Sequence, residues 1–199
     1  MKSRKHILPL NPSHQQSRYF FVYGLLCIFS VFFFSGISIA ETKPPGRGSY
    51  FPTHSFSDIL PKEEQTYLGI TPGKKFSLNN IRSVVIIEMF NTYCTICPKN
   101  VPVLNEVYSL IENDPKLKGK IKVISVAVGN TPGEIMSYKK TQGVRYPILS
   151  DLRFTLHQAL GNPRVPYTML IKRNKMIYAH HGVIDSPETL LHSAEKLLN

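Results

Sequence analysis

The second half of the chain alternates short apolar runs with amphipathic stretches. Residues 84–90, VVIIEMF, are a β-branched run of strand length, apolar on both faces, as in a central strand of a covered sheet. After them Val101, Leu104, Val107, Tyr108 and Ile111 fall at helical intervals and predict a helix over 98–113. IKVISVAV, residues 121–128, reads as a second strand. Thr131-Pro132 opens a helix through Lys140, since the fixed φ of proline suits a first helical position. An extended piece over 146–149 and a short helix over 153–160 come next. Two strands over 168–172 and 176–181 are joined across Arg173-Asn174-Lys175 as a hairpin. Ser186-Pro187 caps a last helix to Leu198, with Leu190, Leu191, Leu197 and Leu198 on its apolar side. This order predicts an α/β sandwich around one mixed sheet.

Upstream the pattern weakens. Residues 56–82 predict a short strand or two, with a turn at Thr71-Pro72-Gly73. Residues 41–55, ETKPPGRGSYFPTHS, read as a Pro- and Gly-rich linker. Tyr19 to Ala40 carries no charged side chain over 22 residues, enough to span a bilayer as a helix. Basic residues precede it, which predicts that everything after Ala40 lies on the far side of the membrane. Ser38-Ile39-Ala40 before Glu41 also matches a small-x-small cleavage site. Residues 1–40 are therefore expected to be a signal peptide or N-terminal membrane anchor, 41–55 a linker, and 56–199 one extracytoplasmic domain. That domain is secreted or periplasmic, or anchored to the cytoplasmic membrane by residues 19–40.

Composition changes this picture little. Hydrophobic residues make up 42% and charged ones 19%, which fits a folded globular chain. The formal charge is +11, of which Lys2, Arg4, Lys5 and Arg18 lie in the leader; residues 41–199 hold 20 basic against 13 acidic residues, a net +7. Such a surplus suits acidic partners or anionic lipid, or simply a solvated basic surface. Along the sequence the basic residues are not clustered with interleaved aromatics, so nucleic acid is not an expected partner.

The chemistry centres on cysteine. Of three, Cys27 lies inside the uncharged run, behind Leu25 and Leu26, which do not suit lipoprotein processing. The exported part owns Cys94 and Cys97, in FNTYCTIC, and export allows disulfide formation. A structural zinc site wants four ligands; there is no second pair, and adjacent His180 and His181 on a strand point to opposite faces. A purely structural disulfide closing so short a loop would stabilise little. The position favours redox chemistry, because unpaired N–H groups and the dipole at a helix start stabilise a thiolate. Cys94, nearer the loop, is the expected attacking sulfur, and Cys97, inside the first turn, the resolving one. The expected redox element is the Cys94–Cys97 disulfide itself, with no other cofactor and no metal.

Three further spacings join this pair. Pro102 lies five residues after Cys97, Glu88 lies six before Cys94, and Val165-Pro166-Tyr167-Thr168 runs into the strand MLIK. With them the stretch 56–199 resembles the thioredoxin fold, and more closely the exported TlpA-type redoxins, the lead-in only loosely. The resemblance implies a thioredoxin-like three-layer α/β/α sandwich with a central mixed β-sheet. It implies that Glu88 is a buried acid handling protons for Cys97. It also implies that Pro166 is the cis-proline of a substrate-binding loop, with Val165 and Tyr93 beside it.

Three departures stand out. Tyr93 replaces the usual tryptophan, Thr95-Ile96 replaces Gly-Pro or a similar dipeptide, and Asn100 stands where many TlpA-type proteins carry a glutamate. These changes bear on the direction of electron flow more than on the fold. The implied activity is thiol–disulfide oxidoreduction on exported proteins, apocytochromes c among them, with a membrane electron donor to reset the pair.

Two rival readings remain. A thiol peroxidase of the redoxin group would want a proline where Ile87 or Phe90 stands. A copper-binding chaperone could use the two thiols with His180. His157 and His192 are expected at the surface.

Overall fold

The computed structural model describes residues 46–57 and 60–198. The expected leader, residues 1–40, and the start of the linker lie outside the described residues. Among those described, no helix is long and apolar enough to cross a membrane.

The central strand β1, Val84–Phe90, is buried along its whole length, as its two-faced apolar sequence requires. It pairs in parallel with β2 (Ile121–Val128), which pairs in parallel with β3 (Ile148–Asp151). On its other side it pairs antiparallel with β4 (Tyr167–Lys172), which in turn pairs with β5 (Lys175–His181), giving the order β3-β2-β1-β4-β5. The expected mixed sheet is therefore present, and three-residue Arg173–Lys175 is corrected to a two-residue turn. Arg173 and Asn174 both have positive φ, 49° and 64°, the backbone that matches the twist of a tight hairpin.

Helices cover both faces. One face carries Val84, Ile86, Glu88 and Phe90 of β1. It packs against Val101, Leu104, Val107 and Ile111 of α2 (Asn100–Asn113), Ile135 and Tyr138 of α3 (Pro132–Gln142), and Leu190 and Ala194 of α5 (Pro187–Glu195). The other face, through Val85, Ile87 and Met89, packs on Phe51, Phe56, Leu68 and Phe76 of the lead-in and on Leu156 of α4 (Thr155–Ala159). The three-layer α/β/α sandwich is the observed architecture.

Three details differ from the sequence pattern. The helix expected from Pro98 begins as a 3₁₀ turn, Cys97–Lys99, and becomes α-helical at Asn100. The lead-in holds a helix, α1 (Lys62–Leu68), ended by Gly69 in the left-handed conformation, and only a single bridge, Phe56 to Phe76, where strands were expected. The short helix over 153–160 is trimmed to α4 because Phe154 is left-handed and the Asp151 carboxylate caps the turn beyond it, accepting from Leu156 N at 3.2 Å and His157 N at 2.8 Å. Residues 48–51, inside the expected linker, lie along the β4–β5 hairpin: Gly48 N donates to Met176 O at 2.7 Å and Phe51 N to Asn174 O at 2.9 Å.

Candidate active site

The parallel half of the sheet ends where β1 gives way to the 3₁₀ turn, and there Cys94 and Cys97 form a disulfide, with Cα atoms 5.5 Å apart. Cys97 is buried at 1% exposure, while Cys94 is half-buried. The Cys97 N–H points to Cys94 Sγ at 3.2 Å, so a backbone donor already faces the sulfur that would carry charge as a thiolate. Cys94 Sγ lies 4.0 Å from Val165 O, and the Val165–Pro166 peptide bond is cis. The sequence-predicted Cys94, Cys97, Val165 and Pro166 thus meet at one end of the sheet.

The loop carrying Cys94 is held from three sides. Asn91 Nδ2 donates to Val128 O at 2.6 Å, and buried Asn130 grips Thr92, accepting from its N–H at 3.0 Å and donating to its hydroxyl at 2.6 Å. Tyr93, 74% exposed, donates its hydroxyl to Glu134 in the first turn of α3. Glu134 also closes a capping box with Thr131. These donors hold the Glu134 carboxyl down to about 2, the Tyr93 bond being the largest cause. Tyr93 is therefore placed on the rim of the site, tied to a neighbouring helix rather than to the disulfide.

Glu88 lies beneath, on the sheet face that also packs Cys97, at 2% exposure. Its Oε1 accepts from Asn100 Nδ2 and its Oε2 from Ser125 Oγ, both at 2.9 Å. Burial raises its pKa to about 7, against the lowering by these two donors. Tyr138 and Tyr146 feel the same carboxylate, and burial raises both, Tyr138 to about 12. On β4, Thr168 stands directly across from Glu88, fully buried, with its hydroxyl unpartnered.

Asn100 and Ser125 are the residues sequence reasoning missed. In sequence Asn100 reads only as a departure from a glutamate, yet it is fully buried and spans three elements. Besides Glu88 it donates to Gly182 O at 3.5 Å and accepts from Ile184 N at 2.8 Å. Ser125 could have been found as the one small polar residue in IKVISVAV, buried where Lys122 at the strand's start is not. His180 pairs in register with Thr168, but its Nε2 sits 3.0 Å from Val183 O. Among the described residues no three His, Cys, Asp or Glu side chains gather as a metal site. His157, expected at the surface, is half-buried, its Nε2 2.9 Å from Pro163 O, a correction that its place in a capped turn explains.

Geometry of this kind supports two-step sulfur exchange: an accessible sulfur at a helix start, a buried partner in contact, and a carboxyl group able to exchange a proton near neutrality on the same face.

Comparisons with known proteins agree with this layout. The AhpC/TSA family profile matches residues 60–186. The thiol-disulfide oxidoreductase ResA of Geobacillus thermodenitrificans is 25% identical over 103 residues, 51% of this chain and 56% of that protein. The chain thus spans about half the length of the curated relatives it matches first. In fold, the thioredoxin domain of a thiol-disulfide oxidoreductase from Bacteroides vulgatus superposes with TM-score 0.59 at 14% identity, covering 78% of this chain and 99% of that one. AhpC of Mycobacterium bovis does so with TM-score 0.59 at 12% identity, covering 79% and 100%.

Proposed function

Since the chain belongs to the AhpC/TSA family, of thioredoxin-like fold, we propose that it is a thiol–disulfide oxidoreductase of the TlpA type acting through Cys94 and Cys97. The observation that carries this reading is the disulfide at the end of the central strand, half-exposed at Cys94 and buried at Cys97. In the reducing direction the Cys94 thiolate attacks a substrate disulfide. One substrate sulfur bonds to Cys94 and the other leaves as a thiolate, which takes up a proton. The Cys97 thiol yields its proton toward Glu88 and attacks Cys94, releasing the second substrate thiolate. Two electrons pass to the substrate, and the protein is left as the disulfide. In this reading a substrate chain meets Val165, whose carbonyl lies 4.0 Å from Cys94 Sγ, together with its neighbour Pro166 and with Tyr93 next to Cys94. No metal or further cofactor enters this cycle.

The partners in this reading are exported proteins with disulfides to reduce, apocytochromes c being one class, and a membrane thiol donor that resets the pair. The uncharged run Tyr19–Ala40, behind a basic start, supports an extracytoplasmic placement, secreted or anchored. Cys97→Ala, with Cys94 left to form a trapped mixed disulfide, is the direct test. The expected result is a covalent adduct with a disulfide-containing client protein, reversed by thiol. A Cys97→Ala protein that forms no adduct, beside a wild type that reduces nothing, would sink the proposal. The reduction potential sets direction: about −270 mV marks a reductant, and about −120 mV a disulfide donor.

The family match and the likeness in fold to AhpC favour one second reading, a thiol peroxidase. Peroxide consumption by the reduced protein at a rate exceeding its disulfide exchange would establish it.

A further inference from the structure

The end of the sheet opposite the disulfide gathers basic residues that are scattered in sequence. Ser83 Oγ donates to Gly119 O at 2.6 Å and Val84 N to Lys120 O at 2.9 Å, so the entries to β1 and β2 are adjacent. Val85 pairs with Ile171, which brings the β4–β5 turn to the same end, and residues 48–51 lie along that turn. Arg47, Arg82, Lys118, Lys120, Arg173 and Lys175 are all exposed there. Two acids lie nearby, Glu112 paired with Lys118 at 3.6 Å and Asp114 accepting from Lys116 N at 2.8 Å, and the six cations outnumber them. Tyr50, 67% exposed, lies with its ring centroid 5.5 Å from Lys175 Nζ. An exposed tyrosine among lysines and arginines is the composition that settles at a bilayer interface.

The chain also enters the domain at this end. Gly48 follows Ala40, the end of the uncharged run, by eight residues, which reach at most roughly 29 Å when extended. A tether of that reach allows the basic end to meet the lipid.

We propose that this basic end is a membrane-facing surface that seats on an anionic phospholipid bilayer and directs Cys94 away from it. The proposal rests on the anchoring by residues 19–40 put forward above. Phosphate headgroups meet the six cations while Tyr50 sits at headgroup level. The disulfide end then faces soluble clients rather than lipid.

The test uses the full chain, oxidised, in nanodiscs of phosphatidylcholine with or without phosphatidylglycerol, and reads lysine acylation by mass spectrometry. Lys118, Lys120 and Lys175 are expected to react about threefold or more slowly on the anionic discs, the difference vanishing near 0.5 M salt. Lys99, beside Cys97, should react equally on both. The variant K118E/K120E should abolish the difference at Lys175. Equal rates on the two discs overturn the proposal and leave this end a solvated face or a seat for an acidic protein. Failure of the anchoring is read separately, as a chain that phosphatidylcholine discs do not retain. Protection on anionic discs would then still uphold the basic seat, and its absence would overturn it.

Discussion

Glu88 is the side chain on which most of the site's chemistry turns. A carboxylate inside an all-apolar strand is costly unless hydrogen-bonded, and its two oxygens take one donor each from Asn100 and Ser125. Its folded pKa, about 7, lies above the ordinary 4.5, so the folded protein holds a proton that the unfolded chain has released over that interval. Stability therefore falls as pH rises from about 4.5 to about 7 and is level above. The loss amounts to about 3 kcal/mol, from roughly 1.4 kcal/mol per pKa unit. Glu88→Gln should remove that slope, so that denaturation midpoints of the oxidised variant at pH 5 and pH 8 differ by less than those of the wild type. An equal slope in both proteins would show that Glu88 titrates normally. The same variant should also flatten the pH dependence of Cys97 attack on a mixed disulfide.

Between elements, the Asn130 bridge joins the turn after β2 to the loop before Cys94. Asn130→Ala leaves the Thr92 N–H and hydroxyl without their partners, at a cost of about 1–3 kcal/mol. Because Thr92 is two residues from Cys94, the expected signature is a shifted reduction potential with the fold intact, measured against a glutathione buffer. An unchanged potential would confine Asn130 to structure. Legibility in the sequence divides along the same line, between local pattern and distant partner. Strands β1 and β2 and the spacing of Cys94 and Cys97 were legible, because burial on both faces and a strand-to-helix boundary leave direct marks in residue type. Helix α1 was not, since its seven residues bury only Leu68 and carry no apolar stripe. Asn100, Ser125 and Asn130 were not legible as a network, because each is defined by partners far away in the chain. The resemblance supplied the Val165–Pro166 loop; no local pattern could place it against Cys94.

Taken as a unit, the domain begins earlier than its sequence pattern. Phe51 lies within the Pro- and Gly-rich stretch, yet it is 2% exposed and packs with Phe56, Phe76 and Met176 beneath the sheet. Phe51→Ala should cost about 3–5 kcal/mol, the range for emptying a buried phenylalanine site. A denaturation midpoint unmoved by the change would return residues 48–51 to a passive tether. The same residues close the open edge of β5 near its start, where unpaired backbone would otherwise be available to another strand.

The bond from Ile184 N to Asn100 Oδ1 joins positions 84 residues apart. Ribosomal synthesis proceeds from the N-terminus, so Cys94 and Cys97 emerge well before β4, the Val165–Pro166 loop or Ile184 exist to enclose them. A nascent chain therefore exposes both thiols to any oxidant it meets, with Glu88 still in water and no loop to select the encounter. A premature stop codon just before Gly182 would keep every residue of the cysteine motif and all five strands in the reading frame. It would still delete the Gly182 and Ile184 contacts that steady Asn100 against the buried acid. For this gene, an intact cysteine motif is not sufficient to score a truncated allele as functional.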